Sequence, residues 1–281
     1  MAGTTGNKRN IAIISQGGVG KTLLAEAMLF NAKATDRIGR VDDGSSNLDF
    51  EPEEHKRRIT LKASLHHYEW DRRHVTIIDT PGYSGFLQET KNALSAVDGA
   101  VLVVSATGGI KAQTQEILKF SNQTAVPSIA FINMMDKERA DFESAVVEME
   151  KVLGLRAVRL YIPIGEGPGF KAVVDLLLRK AYIYRDDLSG AYETKDVPAE
   201  LKDKAAAMRE AAVETIVEAD DALTEKYLDG KTITDEELAA ALRKGTLDMR
   251  FVPVVMGSAQ KNMGVCQLLD TINMCLPSPL D

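Results

Sequence analysis

Two cysteines, one tryptophan and four histidines in 281 residues leave this chain short of the material for several kinds of chemistry. Cys266 and Cys275 fall late, in a segment that reads as one helix. Nine positions apart on a helix they are too distant to bridge, so both are expected as free, buried thiols. Neither a disulfide framework nor a cysteine-based metal site is supported. Long apolar runs are missing as well. No stretch approaches the length of a membrane span, and "MAGTTGNKRN" at the start lacks the apolar core of a signal peptide. The expectation is a cytoplasmic protein without membrane contact. Positive charge is not in excess either: 34 Lys and Arg stand against 41 Asp and Glu, a net charge of −7. That balance argues against a broad electrostatic grip on nucleic acid, so sequence-specific DNA binding is not expected. The one tight basic cluster, His55-Lys56-Arg57-Arg58, reads as a solvated loop.

What is present is ample apolar material, 44% hydrophobic with 27% charged, enough for a full core and more readily two compact units than one. Up to about residue 135, short apolar runs alternate with amphipathic stretches, the pattern of a sheet with crossover helices. Strands are predicted at 10–15, 59–70, 75–80, 99–107 and 127–133, and helices at 21–32, 85–96, 111–124 and 138–153. Only "DRRH" joins the second and third strands, which predicts an antiparallel hairpin on an otherwise parallel sheet. Residues 33–58 fit no period and form a long polar loop, a feature that is usually functional.

From 158 to 248 the texture changes to strands with a glycine-rich turn, then helices, the last opened by a capping box of Thr234 and Glu237. "FVPVVMGSA" then restores a buried strand, and 263–275 a final helix. The predicted organisation is 1–157 as the first part of an α/β domain and 158–248 as an inserted α+β subdomain. Residues 249–281 supply the closing strand and helix, and the two prolines of "LPSPLD" read as the entrance to a linker.

Five elements carry chemistry. "SQGGVGKT", residues 15–22, lies between a strand and a helix, the context of a phosphate-binding loop. Gly17, Gly18, Val19 and Gly20 would turn backbone N–H groups onto phosphate oxygens, aided by the helix N-terminus. Lys21 would reach the β and γ phosphates and Thr22 would hold Mg²⁺. Asp79 ends the third strand, where a carboxylate takes the metal through a water. Thr60, after the long loop, would add a second hydroxyl, and such hard oxygen donors suit Mg²⁺. The fifth strand ends in Asn133-Met134-Met135-Asp136, whose Asp136 would accept two hydrogen bonds from the guanine edge. It would also serve as a helix cap. Gly257-Ser258-Ala259 would place backbone N–H near the guanine O6.

With these elements in this order, the chain resembles the GTP-binding domain of the translational GTPases, specifically of elongation factor G. "DGAVLVVSATGGIKAQTQE", "GFKAVVDLLLRKAYIY" and "GSAQKNMGVCQLLDTINMCLPSPLD" carry the resemblance beyond the loops and into the insertion. It implies a P-loop NTPase G domain: α/β, a mostly parallel sheet with one antiparallel strand, helices on both faces, and an α+β insertion. It implies GTP/GDP and Mg²⁺ as ligands, the ribosome as partner of the full-length protein, a monomer, and GTP hydrolysis. Gly20, Lys21 and Thr22 match the family's phosphate loop, and Thr60 in "RRIT" its switch threonine. Asp79, Pro81 and Gly82 match "DTPG", and Asn133, Asp136, Ser258 and Ala259 the guanine loops. On this match Lys21, Thr60, Gly82 and Tyr83 stand at the reacting phosphate.

Three positions depart from the family. Tyr83 replaces the histidine of "DTPGH" that orients the attacking water, Met134 the lysine of "NKxD", and Gly18 a frequent aspartate. They point to a divergent paralogue with slow hydrolysis. A phenol hydrogen-bonds water but is a poor base at neutrality, whereas a thioether stem still packs on a purine. Two other readings compete. One is a nucleotide-gated, ribosome-binding regulator without turnover. The other is a ParA/MinD-type ATPase, suggested by "QGGVGKT", although Gln16 occupies the position of that family's essential lysine. "GEGPGF" (165–170) reads as a hairpin turn, and His66 and His67 as residues on opposite strand faces.

Overall fold

Continuous apolar runs produce the centre of the molecule. In the computed structural model, which describes residues 4–281, β1 (Lys8–Ile14) is buried throughout Ile11–Ile14. β4 (Gly99–Ser105), β5 (Ser128–Asn133) and β11 (Val252–Met256) are buried at every position. Strands covered on both faces need no polar alternation, and these show none. β2 (Ser64–Trp70) and β3 (Arg73–Asp79) alternate instead. They form the expected antiparallel hairpin, turned at Asp71 and Arg72 with φ of +43° and +62°. His66 and His67 do point to opposite faces, one half-buried and one exposed.

With β6 (Ala157–Arg159) these strands make a seven-stranded sheet in the order β2-β3-β1-β4-β5-β11-β6, parallel except for β2. Because β1 lies between β3 and β4, the order reverses beside it and opens a crevice at the carboxyl ends of the strands, where such sheets bind ligands. α1 (Lys21–Asn31) and α9 (Val265–Cys275) pack together on one face. α3 (Leu87–Leu94), α4 (Ala112–Gln123) and α5 (Phe142–Leu153) cover the other. The predicted loop at 33–58 contains one short helix, α2 (Pro52–Arg57).

The added segment is an antiparallel meander, β7 (Tyr161–Ile164), β8 (Ala172–Asp175), β9 (Lys180–Tyr184) and β10 (Tyr192–Asp196), ordered β10-β9-β8-β7. "GEGPGF" is the β7–β8 connection. Then come α6 (Lys202–Val217), α7 (Asp221–Leu228) and α8 (Asp235–Leu247), the last opened by the Thr234–Glu237 capping box. The expected start of this segment at 158 falls inside β6, which pairs with β11 and belongs to the large sheet. Its helices do not stand apart either. Val213, Ile216, Leu238 and Leu242 join the same core as Ile13 and Phe131, and among the described residues only a small cluster around Ile162, Val174 and Leu176 is separate. Of the thiols, Cys275 is buried and Cys266 half-buried, both free. No helix among the described residues is long and apolar enough to cross a membrane.

Candidate functional site

The turn from β1 into α1 is possible because Gly18 and Gly20 take φ of +84° and +87°, which a side chain resists. Gly20 is also where a Cβ would stand 2.6 Å from Asn133 Nδ2. Val19 between them turns inward and is buried, anchoring the loop. Lys21 opens α1 with its Nζ donating to Gln16 O at 2.9 Å. Burial pushes this amine down to about 8, with Asp79 pulling the other way.

The two hydroxyls and the carboxylate predicted from three separate motifs meet at one point. Thr22 Oγ1 donates to Asp79 Oδ2 at 2.6 Å and lies 2.9 Å from Thr60 Oγ1. Thr60 in turn donates to Asp49 Oδ1 at 3.0 Å. Asp79 is fully buried, and its other oxygen, Oδ1, has no hydrogen-bond partner among the described residues. Burial pushes its carboxyl up to about 7, against the opposing pull of Thr22 and Lys21, and burial raises Asp49 too. The buried Asp79 carboxylate beside two hydroxyls makes a compact set of hard oxygen donors. Donors of this kind fit Mg²⁺, which takes few protein ligands.

At the other end, Asn133 ties two loops together: its Nδ2 donates to Val19 O at 2.8 Å and its Oδ1 accepts from Ala259 N at 2.9 Å. Asp136 Oδ1 is buried and has no hydrogen-bond partner among the described residues. Its Oδ2 lies 3.7 Å from Lys137 Nζ. Met134, at φ +67°, borders the cleft with its sulfur 3.4 Å from Ser105 Oγ. Ser258 is fully buried and its Oγ accepts from Lys261 N. The N–H groups of Gly257 and Ser258 donate to Ile132 O and Met263 O, so both are engaged within the fold.

Tyr83 lies across the phosphate loop. A Cβ on Gly17 would come within 2.9 Å of its ring, yet the side chain is 43% exposed. Gly82 passes so close to Lys21 Nζ and Gly17 N that no Cβ fits there. Gly17, Gly20, Lys21, Thr60, Tyr83 and Met134 thus border one cleft of about 280 Å³. A larger hollow, about 630 Å³, lies between β8 and α6, away from all of them. Volume does not mark the site; converging polar groups do.

Several residues at the site escaped the motif reading. Gln16 faces inward: its Oε1 accepts from Lys111 N at 2.6 Å and Thr114 Oγ1 at 2.9 Å, while Nε2 donates to Gly109 O. Asp49 was hidden in the aperiodic loop. Glu26 and Glu54, both completely buried, hold that loop. Glu26 did leave a signal, as the one charge in the apolar run "LLAEAMLF".

A glycine loop between strand and helix, a strand-end aspartate and a strand-end Asn-x-x-Asp, all on one edge of a switch-point sheet, define a P-loop protein of the G-domain class. Residues 6–278 match the family described as the elongation factor Tu GTP binding domain, and the chain belongs to that family. It is the G domain of a translational GTPase. It is also similar to a crystal structure of a protein from Thermus thermophilus, with 31% sequence identity and a TM-score of 0.90. The match covers 96% of this chain and 40% of that one, so the chain spans about two fifths of that protein's length.

Proposed function

We propose that this chain is the nucleotide switch of an elongation factor G-like translation factor, a divergent paralogue that binds GTP or GDP with Mg²⁺ and hydrolyses GTP slowly. The observation that carries this reading is the meeting of Thr22, Thr60 and Asp79 within hydrogen-bonding distance beside the glycine loop. In this role the N–H groups of Gly17 to Gly20 and the α1 N-terminus bind phosphate oxygens. Lys21 Nζ neutralises the β and γ phosphates. Thr22 and Thr60 would ligate Mg²⁺, and Asp79 would hold it from the end of β3. When bound, Mg²⁺ would supply charge neutralisation to the phosphates. Asp136 receives the guanine N1–H and N2–H₂, Met134 packs on the base, and the 257–259 loop lines the O6 side.

Hydrolysis requires a water placed in line with the γ-phosphorus. Attack of its oxygen breaks the bond to the β–γ bridging oxygen and leaves GDP and phosphate. Gly82 brings the backbone next to Lys21, and Tyr83 occupies the position from which that water is oriented. A phenol can hold the water but accepts its proton poorly, which supports low turnover. The longer protein would act on the ribosome, in the cytoplasm and as a monomer. Phosphate release with and without ribosomes tests this reading. Slow intrinsic release with GTP binding is expected, and tight ATP binding would overturn the guanine assignment.

Tyr83 also supports a second reading, a nucleotide-gated regulator that binds the ribosome without turnover. GTP binding with no phosphate release, even on ribosomes, distinguishes it. The ParA/MinD alternative finds no support, because Gln16 is committed to Lys111, Thr114 and Gly109 within the chain.

A further inference from the structure

Two carboxylates outside every motif grip the loop that carries Thr60. Glu26 lies four residues past Thr22 on α1 and so one turn along the same face. Its Oε1 accepts from Ser46 Oγ at 2.9 Å, Asn47 N at 2.5 Å and Leu48 N at 3.1 Å. Its Oε2 accepts from Gly39 N at 3.1 Å and Asn47 Nδ2 at 2.9 Å. All five donors belong to residues 39–48. The approach is close enough that a Cβ on Gly39 would stand 2.7 Å from Oε2. Leu48, among the donors, is itself fully buried in the core.

Glu54 does the same for the far half of the loop. Its Oε2 accepts from Phe50 N and Glu51 N, and its Oε1 from Leu61 N and Lys62 N, so it gathers the chain on both sides of Thr60. Asp49, between the two grips, receives the Thr60 hydroxyl.

A dry carboxylate is costly unless its lone pairs are filled. The donors that fill those of Glu26 arrive only when residues 39–48 lie on α1. Opening the loop therefore strips five hydrogen bonds from a charge embedded among Leu24, Ala25, Ala27 and Met28. The helix that presents Thr22 to the phosphates is thus the one whose charge needs the loop closed.

We infer that Glu26 is a positioning residue: it clamps residues 39–48 to α1, sets Thr60 beside Thr22, and gives the site its preference for a nucleoside triphosphate over a diphosphate. The preference rests on the guanine-nucleotide reading above, in which Thr60 serves the γ-phosphate side and the glycine loop serves both nucleotides. The clamp itself rests only on the five hydrogen bonds.

The test uses the whole chain with Glu26→Ala, Glu26→Gln and Asn47→Asp. The last is an exposed substitution that sets a second carboxylate against Glu26 and leaves the α1 core intact. Fluorescent GDP and a non-hydrolysable GTP analogue are titrated with Mg²⁺, and trypsin cleavage after Arg40 and at Lys56 to Arg58 is followed without nucleotide. The expected result is analogue affinity weakened by about 5- to 100-fold, the usual range of coupling between sites. GDP affinity is retained and loop cleavage is faster. Equal losses for both nucleotides would reduce Glu26 to a packing role, and unchanged affinities with unchanged cleavage would overturn the clamp. A parent chain that binds neither nucleotide would defeat the functional reading instead, and the cleavage rates would still decide the clamp.

Discussion

Tyr83 concentrates the functional question into one side chain. Its ring rests on Gly17 while much of it faces solvent, so it stands over the glycine-loop end of the cleft without being locked in the core. Replacing it by a better proton acceptor changes the chemistry and leaves the scaffold alone. Tyr83→His should raise ribosome-dependent phosphate release by about a hundredfold, the low end of what a positioned acid–base group contributes. Unaltered release would show that water placement is not what limits the parent. Met134 is the complementary case at the base. Its backbone is left-handed and its sulfur leans on Ser105, so the stem is held at the cleft by geometry rather than by charge. Met134→Lys should change GTP affinity by about 1 kcal/mol or less, in the direction of tighter binding, as calorimetry would measure.

At the scale of single elements, the turn after β8 contains the clearest pH-dependent group away from the cleft. Asp175 Oδ1 accepts from Leu177 N at 2.9 Å and Leu178 N at 2.8 Å and closes the β8–β9 connection. Burial pushes its carboxyl from 3.8 up to about 6, and those two N–H groups only partly oppose this. A raised folded-state value means that its contribution to stability is full below about 4 and is lost as pH rises through 6. The difference is on the order of 3 kcal/mol. Asp175→Asn keeps the oxygen that caps the turn and removes the titration. Urea unfolding from pH 4 to 7 should therefore show the variant gaining on the parent by roughly 2–3 kcal/mol, most of it before pH 6.5. Parallel pH profiles would remove Asp175 from this role.

For the molecule as a whole, the shared core predicts a shared fate. α8 packs on α9 and β11, and α6 on β6, so the added segment has too little apolar material of its own to fold apart from the large sheet. The single tryptophan offers a probe on the opposite edge: Trp70, on β2, donates from Nε1 to Asp270 of α9 at 2.7 Å. Leu242→Ala, at a fully buried position of α8, should cost about 2–5 kcal/mol. It should also lower the Trp70 fluorescence midpoint by as much as the far-ultraviolet dichroism midpoint. A variant in which dichroism falls and Trp70 does not respond would mean two independent units.

The motif residues of the candidate site were legible because each sits at a strand end in a short contiguous motif. "GGVGKT", "DTPG" and "NMMD" declare themselves through glycine, proline and the end of an apolar run, all local signals. Apolar continuity likewise located every strand of the large sheet up to β5 to within a few residues of its bounds, apart from the start of β2. Tertiary structure alone decided what those motifs lean on. The partners of Glu26 are 13 to 22 positions away, the contacts of Gln16 lie 93 to 98 residues on, and Asn133 bridges residues 114 before and 126 after it. Such pairings follow from the path by which the chain returns to the sheet, which no local period encodes. The same holds for β6: three residues long, it is a strand of the large sheet only because β11, almost a hundred residues later, arrives beside it. Sequence by itself set the chemistry of the loops through backbone sterics and residue type. Folding set their spacing and their closure, because a buried charge finds its donors only in three dimensions.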